Sequence, residues 1–148
     1  DDYLKAGFGA AAPVMRRYFE RWKAGFSSSS LEAARMDLSQ ALRLESEAQA
    51  QSKMELLCLY LHHLRLLSDY KAALGRENRV QALRKLIAFS WRLAPTHMAY
   101  TIPLIDAYLW RDARKLLGVT REEFDSWKPA GSLSREEIRL ILKREFGL

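Results

Sequence analysis

The feature that most constrains this fold is an apolar run over residues 52–74, SKMELLCLYLHHLRLLSDYKAAL. Neither glycine nor proline interrupts it, and its apolar residues recur at three- and four-residue steps, the spacing of a helix face. We therefore expect a long helix, packed on two sides and ended by Gly75. One apolar set comprises Leu57, Tyr60, Leu61, Leu64, Leu67 and Leu74, and the second comprises Leu56, Leu59, His63, Leu66 and Tyr70.

The polar side chains of this run are the first place to look for function, because its apolar side chains report only packing. We predict that they form a narrow exposed strip along the helix. The strip comprises Lys53, His62, His63, Arg65 and Lys71.

The composition indicates one globular domain with an anionic partner. The chain has 148 residues, 49% of them apolar, which is enough to bury a sizeable core. Its net charge is +6, which favours nucleic acid over membrane as a partner, with a mildly basic soluble domain as the alternative. Cys58 is the only cysteine, so an internal disulfide is excluded and a cysteine zinc site is not expected.

Two features bear on processing and on membranes. The first residue is Asp1 rather than Met, so we expect the chain to be a processed or partial piece of something longer. The longest uncharged run, 93–105, has 13 residues and two prolines, and it is too short to span a bilayer.

The whole chain is predicted to be all-α, a compact bundle of about seven helices. Helices are expected over 15–24 after Pro13, over 31–51 with Ser30 as N-cap, over 77–93 closed by Pro95, and over 102–117 closed by Gly118. A turn is expected near 49–52. Two short helices end the chain, because Thr120 and Ser134 each precede a glutamate by three residues, the spacing of a capping box.

No catalytic chemistry is predicted. The carboxylate pairs Glu122–Glu123 and Glu136–Glu137 are explained by helix capping, and adjacent helical positions do not face each other. For the same reason His62 and His63 do not form a metal site, and we expect them to pack or to stack on a base. Because no phosphate loop or nucleophile motif is present either, we predict a non-enzyme without catalytic residues, metal, cofactor or small-molecule substrate.

Three pieces of the sequence together resemble the small-subunit ribosomal protein fifteen family, in particular its mitochondrial members. The first is Ser29-Ser30-Leu31-Glu32-Ala33, similar to the family's Gly-Ser-x-Glu-Val/Ala entry to a second helix. The second is Ser52-Lys53-x-x-Leu56-Leu57-x-Leu59, similar to the opening of its third helix. The third is His63-x-Arg65-Leu66-Leu67 with Tyr70-Lys71, similar to the family's Arg-Arg-x-Leu-Leu-x-Tyr-Leu-Lys.

The resemblance implies a structural constituent of the mitochondrial small ribosomal subunit, a ribonucleoprotein of translation. It implies an N-terminal arm at 1–12, a four-helix rRNA-binding core at 13–93 and a helical extension at 94–148 that contacts neighbouring ribosomal proteins. The sequence departs from the family at Ala34, Asp69 and Ala72, and its loop before Ser52 is about six residues shorter. The fold is therefore matched better than the RNA-contacting residues.

The predicted rRNA contacts combine cations for phosphates with hydroxyl and aromatic groups near the backbone or bases. They are Arg16, Arg17, Lys23, Ser28, Ser29, Ser30, Ser52, Lys53, His62, His63, Arg65, Tyr70 and Lys71.

Two other classes of protein are compatible with the sequence. One is a helical protein–protein interaction module, such as an accessory subunit of a mitochondrial membrane complex, docking through the apolar faces of 102–117 and of the two C-terminal helices. The other is an enzyme with a helical fold and a site of unfamiliar pattern.

Overall fold

The computed structural model of the chain describes residues 2–25 and 27–148. It is 82% helical and has no strand among these residues, which confirms the all-α prediction. Helical turns run without a break over seven stretches of the described chain, as predicted. The stretches are 2–23, 28–44, 48–72, 76–96, 101–117, 121–126 and 135–146.

Nine α-helical segments make up these stretches, joined in places by 3₁₀ or π turns. They are α1 (Asp2–Phe8), α2 (Ala12–Lys23), α3 (Ser28–Leu44), α4 (Ala48–Ala72), α5 (Arg76–Leu93), α6 (Thr101–Pro103), α7 (Trp110–Leu117), α8 (Arg121–Ser126) and α9 (Arg135–Phe146). Gly9–Ala11 and Ala94–Thr96 are 3₁₀ turns, and Leu104–Leu109 is a π turn between α6 and α7.

The chain divides into two compact units. The N/C unit contains the residues up to His62 together with Arg135–Leu148, and the middle unit is His63–Ser134. These boundaries differ from the expected ones at 12/13 and 93/94, because α9 returns to the helices that begin the chain. The N-terminal segment expected to be an arm is itself helical, as α1.

The N/C unit is built on the packing of α2 against α3. Both helices contribute fully buried side chains at helical spacing, Met15 and Tyr18 from α2 and Leu38 and Ala41 from α3. Burial raises the pKa of the Tyr18 hydroxyl far above its ordinary value, so this hydroxyl is never ionised in the physiological range. The other core side chains include Val14, Ala34, Met54, Cys58, Leu59, Leu142 and Phe146.

Helix α9 is held in the N/C unit by its last backbone carbonyls. Three residues of α3, spaced four apart, donate to three successive carbonyls: Arg35 Nη1 to Glu145 O over 2.6 Å, Ser39 Oγ to Phe146 O over 2.5 Å, and Arg43 Nη2 to Gly147 O over 3.4 Å. The last carbonyls of a helix have no intrahelical partner, and cations are favoured at this end of the helix dipole. The arrangement therefore fixes both the position and the end of α9.

The middle unit surrounds the buried side of α5, whose Leu83, Leu86 and Ile87 are fully buried. Opposite them, the stretch 101–117 buries residues spaced four apart, namely Ile105, Leu109, Ala113 and Leu117. In a regular α-helix, residues four apart differ by about 40° in direction, so a row of them turns gradually away from its starting side. A π turn has more residues per turn and therefore reduces this change of direction. The π turn thus keeps all four side chains on one side, and Tyr108 and Leu116 of the same stretch are exposed.

The start of α3 and the break before α4 correct two predicted boundaries. Ser27, not Ser30, is the N-cap of α3, and Ser30 completes a capping box as the third residue of the helix. The chain leaves helical geometry at 45–47 rather than at 49–52. There the Glu47 carboxylate accepts hydrogen bonds from Gln49 N and Ala50 N and so caps α4.

Two further predicted helix boundaries agree with the structure, and the predicted end of the long helix does not. Thr120 caps α8 by accepting from Glu123 N, and α7 ends at Gly118 with a positive φ of 65°. Helix α4 ends at Ala72, before Gly75, whose φ of 79° starts α5 instead. Leu74 therefore lies outside the helix and is 82% exposed, not buried as predicted.

Candidate nucleic-acid interface

The predicted basic face of α2 is divided into an inner and an outer side. Arg17 Nε and Arg21 Nε donate to the two oxygens of Asp37, over 2.7 and 2.5 Å, and Arg17 also donates to Gln40. The Asp37 side chain is only 3% exposed, and its hydrogen bond raises the pKa of Arg21. These two arginines are therefore committed to holding α2 on α3.

The outer side of α2 carries Arg16 and Lys23, with Glu20 between them. All three are exposed, and at about 100° per residue they lie within roughly 60° of one another. Beside Arg16 lies an open cleft of about 590 Å³, which Lys5 and Pro13 also line. This side of α2 is therefore available to a ligand.

The four consecutive serines at 27–30 mainly cap the start of α3. Ser30 N donates to Ser27 Oγ over 3.2 Å, Ser27 N donates to Ser30 Oγ over 2.7 Å, and Ser29 Oγ lies 3.0 Å from Ser27 Oγ. Ser28 is exposed in the first turn of α3. Three of these serine hydroxyls were predicted to contact rRNA. Those of Ser29 and Ser30 are engaged with Ser27, while Ser28 is exposed.

The N/C part of α4 places three predicted residues differently. Lys53 is exposed, and the neighbouring Ser52 hydroxyl donates to Ala48 O within its own helix over 3.0 Å. His62 Nδ1 lies 2.6 Å from Glu145 Oε1, and the two side chains are 14% and 6% exposed. His62 is therefore placed to hold α9, and Lys53 is the cation on this segment that faces solvent.

The part of α4 in the middle unit corrects the predicted exposed strip. His63 is buried, with Nδ1 2.6 Å from Ser90 Oγ, so it is not a surface residue. Tyr70 is also buried, and its hydroxyl donates to Asp112 over 3.4 Å. Burial, and then the Asp112 charge, raise the pKa of Tyr70.

Arg65 and Lys71 are the exposed members of the predicted site in the middle unit. Arg65 lies 3.9 Å from Asp69, one helical turn away. At about 100° per residue Arg65 and Lys71 project roughly 120° apart around α4, so they do not form one binding face.

Sequence reasoning missed a basic surface on α9. Arg139 and Lys143 lie one turn apart and Arg144 follows, all three exposed. Arg135, at the start of the helix, is instead bound to both carboxylate oxygens of Glu55, over 2.6 and 3.1 Å. The four-residue spacing of Arg139 and Lys143 is a sequence signal for this surface, but the resemblance places these residues in a separate extension.

The N/C unit therefore has a surplus of exposed cations. Within its described part, six exposed cations have neither a hydrogen bond nor an ion pair, against three such carboxylates, Asp2, Glu20 and Glu136. The cations are Lys5, Lys23, Lys53, Arg139, Lys143 and Arg144. Such a surface attracts anions through a field that salt screens.

None of the helices in the described residues combines the length and the apolar character needed to cross a membrane. No group of three or more His, Cys, Asp or Glu side chains in this part of the chain is placed to hold a metal ion.

The fold and these exposed side chains define an all-α protein whose N/C unit, in its described part, exposes more unpaired cations than unpaired carboxylates. Comparison of the chain with protein-family models, curated proteins and solved structures gave no match.

Proposed function

We propose that this protein is an rRNA-binding structural constituent of a small ribosomal subunit. The observation that carries the proposal is the surplus of exposed, unpaired cations on the N/C unit. Phosphate contacts supply most of the sequence-independent affinity of a protein for nucleic acid, and they need exposed cations rather than paired ones.

The proposed contact set differs from the predicted one. Lys23 and Lys53 are retained, and Lys143, with its α9 neighbours, is added. Arg17 and His62 are left out because each has a partner within the N/C unit. His63 and Tyr70 are left out because each is buried in the middle unit.

The ribosomal part of the proposal rests on the sequence resemblance together with the order of the helices. α2, α3, α4 and α5 have 12, 17, 25 and 18 residues and follow one another at short connections. This order agrees with a four-helix core entered near Ser29 and continued from Ser52. The mitochondrial location, and contacts of residues 94–148 with neighbouring ribosomal proteins, belong to the same proposal, which assigns no catalytic role.

Filter binding of the full chain to a small-subunit rRNA junction fragment, across a salt series, tests the proposal. With about five phosphate contacts, log Kd should change with log salt with a slope of roughly 3 to 5 in magnitude. Replacing Lys23, Lys53 and Lys143 by alanine should lower that magnitude by roughly 2 to 3, because each removes about one contact.

A matched triple variant separates a site from mere net charge. Arg84, Lys85 and Arg114 are exposed cations of the middle unit, and their replacement by alanine removes the same charge. We expect that variant to keep most of the salt dependence. Equal losses from the two triple variants, or binding that does not respond to salt, would contradict the proposed interface.

A second candidate function is a helical protein–protein interaction module, such as an accessory subunit of a mitochondrial membrane complex. The observation that favours it is a group of exposed large apolar side chains between residues 100 and 116. Such groups on a protein surface commonly mark interaction sites. This function would give a chain whose RNA binding is weak and insensitive to salt.

A further inference from the structure

The stretch 100–116 of the middle unit exposes more apolar surface than its packing requires. Tyr100 is 92% exposed, Leu116 63%, Tyr108 58% and Ile102 45%. The same stretch buries Ile105 and three further side chains spaced four apart, so the inner side of the helix is already satisfied. The four exposed side chains take no part in that packing. A single exposed leucine is common on protein surfaces, whereas several exposed apolar side chains in one stretch commonly mark an interaction site.

The charged side chains around these residues are mostly cationic, because the acidic ones are engaged inside the unit. Asp106 accepts from Lys128 over 2.9 Å and from Arg121 over 3.4 Å. Asp112 accepts from the Tyr70 hydroxyl over 3.4 Å and lies 3.5 Å from Arg111.

Arg114 and Lys115, by contrast, are exposed and have no partner within the described residues. The Arg111 guanidinium lies over the exposed Tyr108 ring, 5.4 Å from its centroid. The carboxyl end of α7 is closed from within the unit, since Arg76 Nε donates to Leu117 O over 2.9 Å. The cations therefore serve no visible purpose in capping α7.

Most of these side chains follow one another along the outer side of α7. At about 100° per residue, Lys115 lies roughly 40° from Arg111 and Leu116 roughly 100° beyond Lys115, whereas Arg114 lies roughly 160° from Leu116 and belongs to another side of the helix. Tyr108 precedes Arg111 by three residues. We call Tyr108, Arg111, Lys115 and Leu116 the outer α7 surface.

We propose that the outer α7 surface docks an acidic amphipathic segment of a partner protein. The apolar side chains of such a segment would cover Tyr108 and Leu116, and its carboxylates would pair with Lys115, next to Arg111. This inference deepens the protein contact that the proposed function gives to residues 94–148, and it rests on that part of the proposal.

A protein partner fits this surface better than RNA does. Leu116 is aliphatic, and covering it gains free energy only against another apolar surface, at about 25 cal/mol per Å². Ribose and phosphate offer no such surface, whereas an interface between proteins combines a core of apolar and aromatic side chains with a polar rim. The cations alone would suit either partner, so the preference for a protein over RNA follows from the exposed aliphatic side chain.

The test uses the full chain labelled with ¹⁵N and a synthetic helical peptide of leucine, alanine and glutamate, with leucines on one face. Titration followed by amide chemical shifts should give saturable changes centred on residues 108–116. Two probes serve as controls: the same peptide with lysine for glutamate, and a single-stranded RNA of equal charge. We expect neither to bind this surface.

Variants separate charge from apolar contact. Leu116→Ser and Lys115→Glu should each weaken binding of the glutamate peptide by roughly tenfold, whereas Arg84→Glu on α5 should not. The inference is overturned if the peptide gives no saturable shifts at 108–116, if the RNA binds there as well as the peptide does, or if Leu116→Ser has no effect. Because none of these variants changes the N/C unit, rRNA binding by Lys23 and Lys53 is judged independently.

Discussion

Replacing Ser39 by alanine tests whether α9 is held in place through its last carbonyl groups. Ser39 Oγ donates to Phe146 O over 2.5 Å, and both residues are buried. Alanine keeps the shape of the site but leaves this carbonyl without a donor in a place that water does not reach. Removing one partner of a buried hydrogen bond costs roughly 1–3 kcal/mol.

The expected net effect is smaller because alanine also favours the helix. Ser39 lies in the interior of α3, where alanine is better than serine by roughly 0.5 kcal/mol. The free energy of unfolding of the N/C unit should therefore fall by about 0.5–2.5 kcal/mol. Arg35 and Arg43 still donate to the neighbouring carbonyls, so α9 should loosen rather than detach.

Urea denaturation measures the total change, and amide hydrogen exchange locates it. We expect faster exchange along α9, with α5 of the middle unit unchanged. Ser28→Ala is the matched control, because Ser28 is an exposed residue of the same helix with no hydrogen-bond partner among the described residues. This variant should stay within about 0.5 kcal/mol of the parent chain. If Ser39→Ala destabilises no more than this control, or if α9 exchange is unchanged, the carbonyl contacts do not hold the helix.

Three further predictions concern the buried carboxylates Asp37 and Glu45 of the N/C unit and the glycines of its first turns. Asp37→Ala should cost about 2–3 kcal/mol in urea denaturation, somewhat less than breaking a fully buried ion pair, because Arg17 is 49% exposed and can turn to solvent. A loss below about 0.5 kcal/mol would refute this. Gly9→Ala should destabilise the chain, because the φ of Gly9 is +45° and the new methyl group would collide with the Glu45 carboxylate. Gly7→Ala in α1 should instead stabilise it by about 0.5–1 kcal/mol, because the methyl group meets nothing there. Changes of the same sign in the free energy of unfolding for both variants would contradict the local geometry. Backbone N–H groups, led by those of Glu47 and Ala10, lower the pKa of Glu45, so its contribution to stability is present above the ordinary glutamate pKa and is lost as pH falls through the lowered one. Glu45→Gln should accordingly destabilise the chain most at neutral pH, and less and less as pH falls through the lowered pKa of Glu45, in a series of urea titrations. A difference that does not depend on pH would exclude this role.

Much of the helical structure follows from local patterns in the sequence. The helix over 77–93 and the end of the helix at Gly118 agree with the structure because apolar periodicity, proline and glycine act over a few residues. Thr120 was identified as a cap by its distance from Glu123 alone. These signals need no knowledge of distant parts of the chain.

The candidate site was much less predictable, because exposure is decided by partners far away in sequence. Arg16 and Arg17 are adjacent and look alike in the sequence, yet only Arg17 reaches Asp37, twenty residues on. His63 looked like a member of a polar strip, but Ser90 on another helix gives it a buried partner. Which polar residue faces water depends on which helix packs beside it, and the periodicity of one helix does not contain that information.

Helix α9 shows the same limit at a larger scale. Its capping signal and its length could be predicted, but its attachment to α3 depends on contacts that span more than a hundred residues. Because of that attachment, Arg139 and Lys143 belong to the N/C unit and not to the predicted extension. There they add to the surplus of exposed cations.

The sequence by itself determined that this chain is all-α, where most of its helices lie, and that it carries a net charge of +6. Only the tertiary structure decided which charges remain available, because each long-range contact engages some side chains and leaves others exposed. The physical reason is that helix formation depends on neighbours a few residues away, whereas burial and ion pairing depend on the three-dimensional arrangement of whole helices.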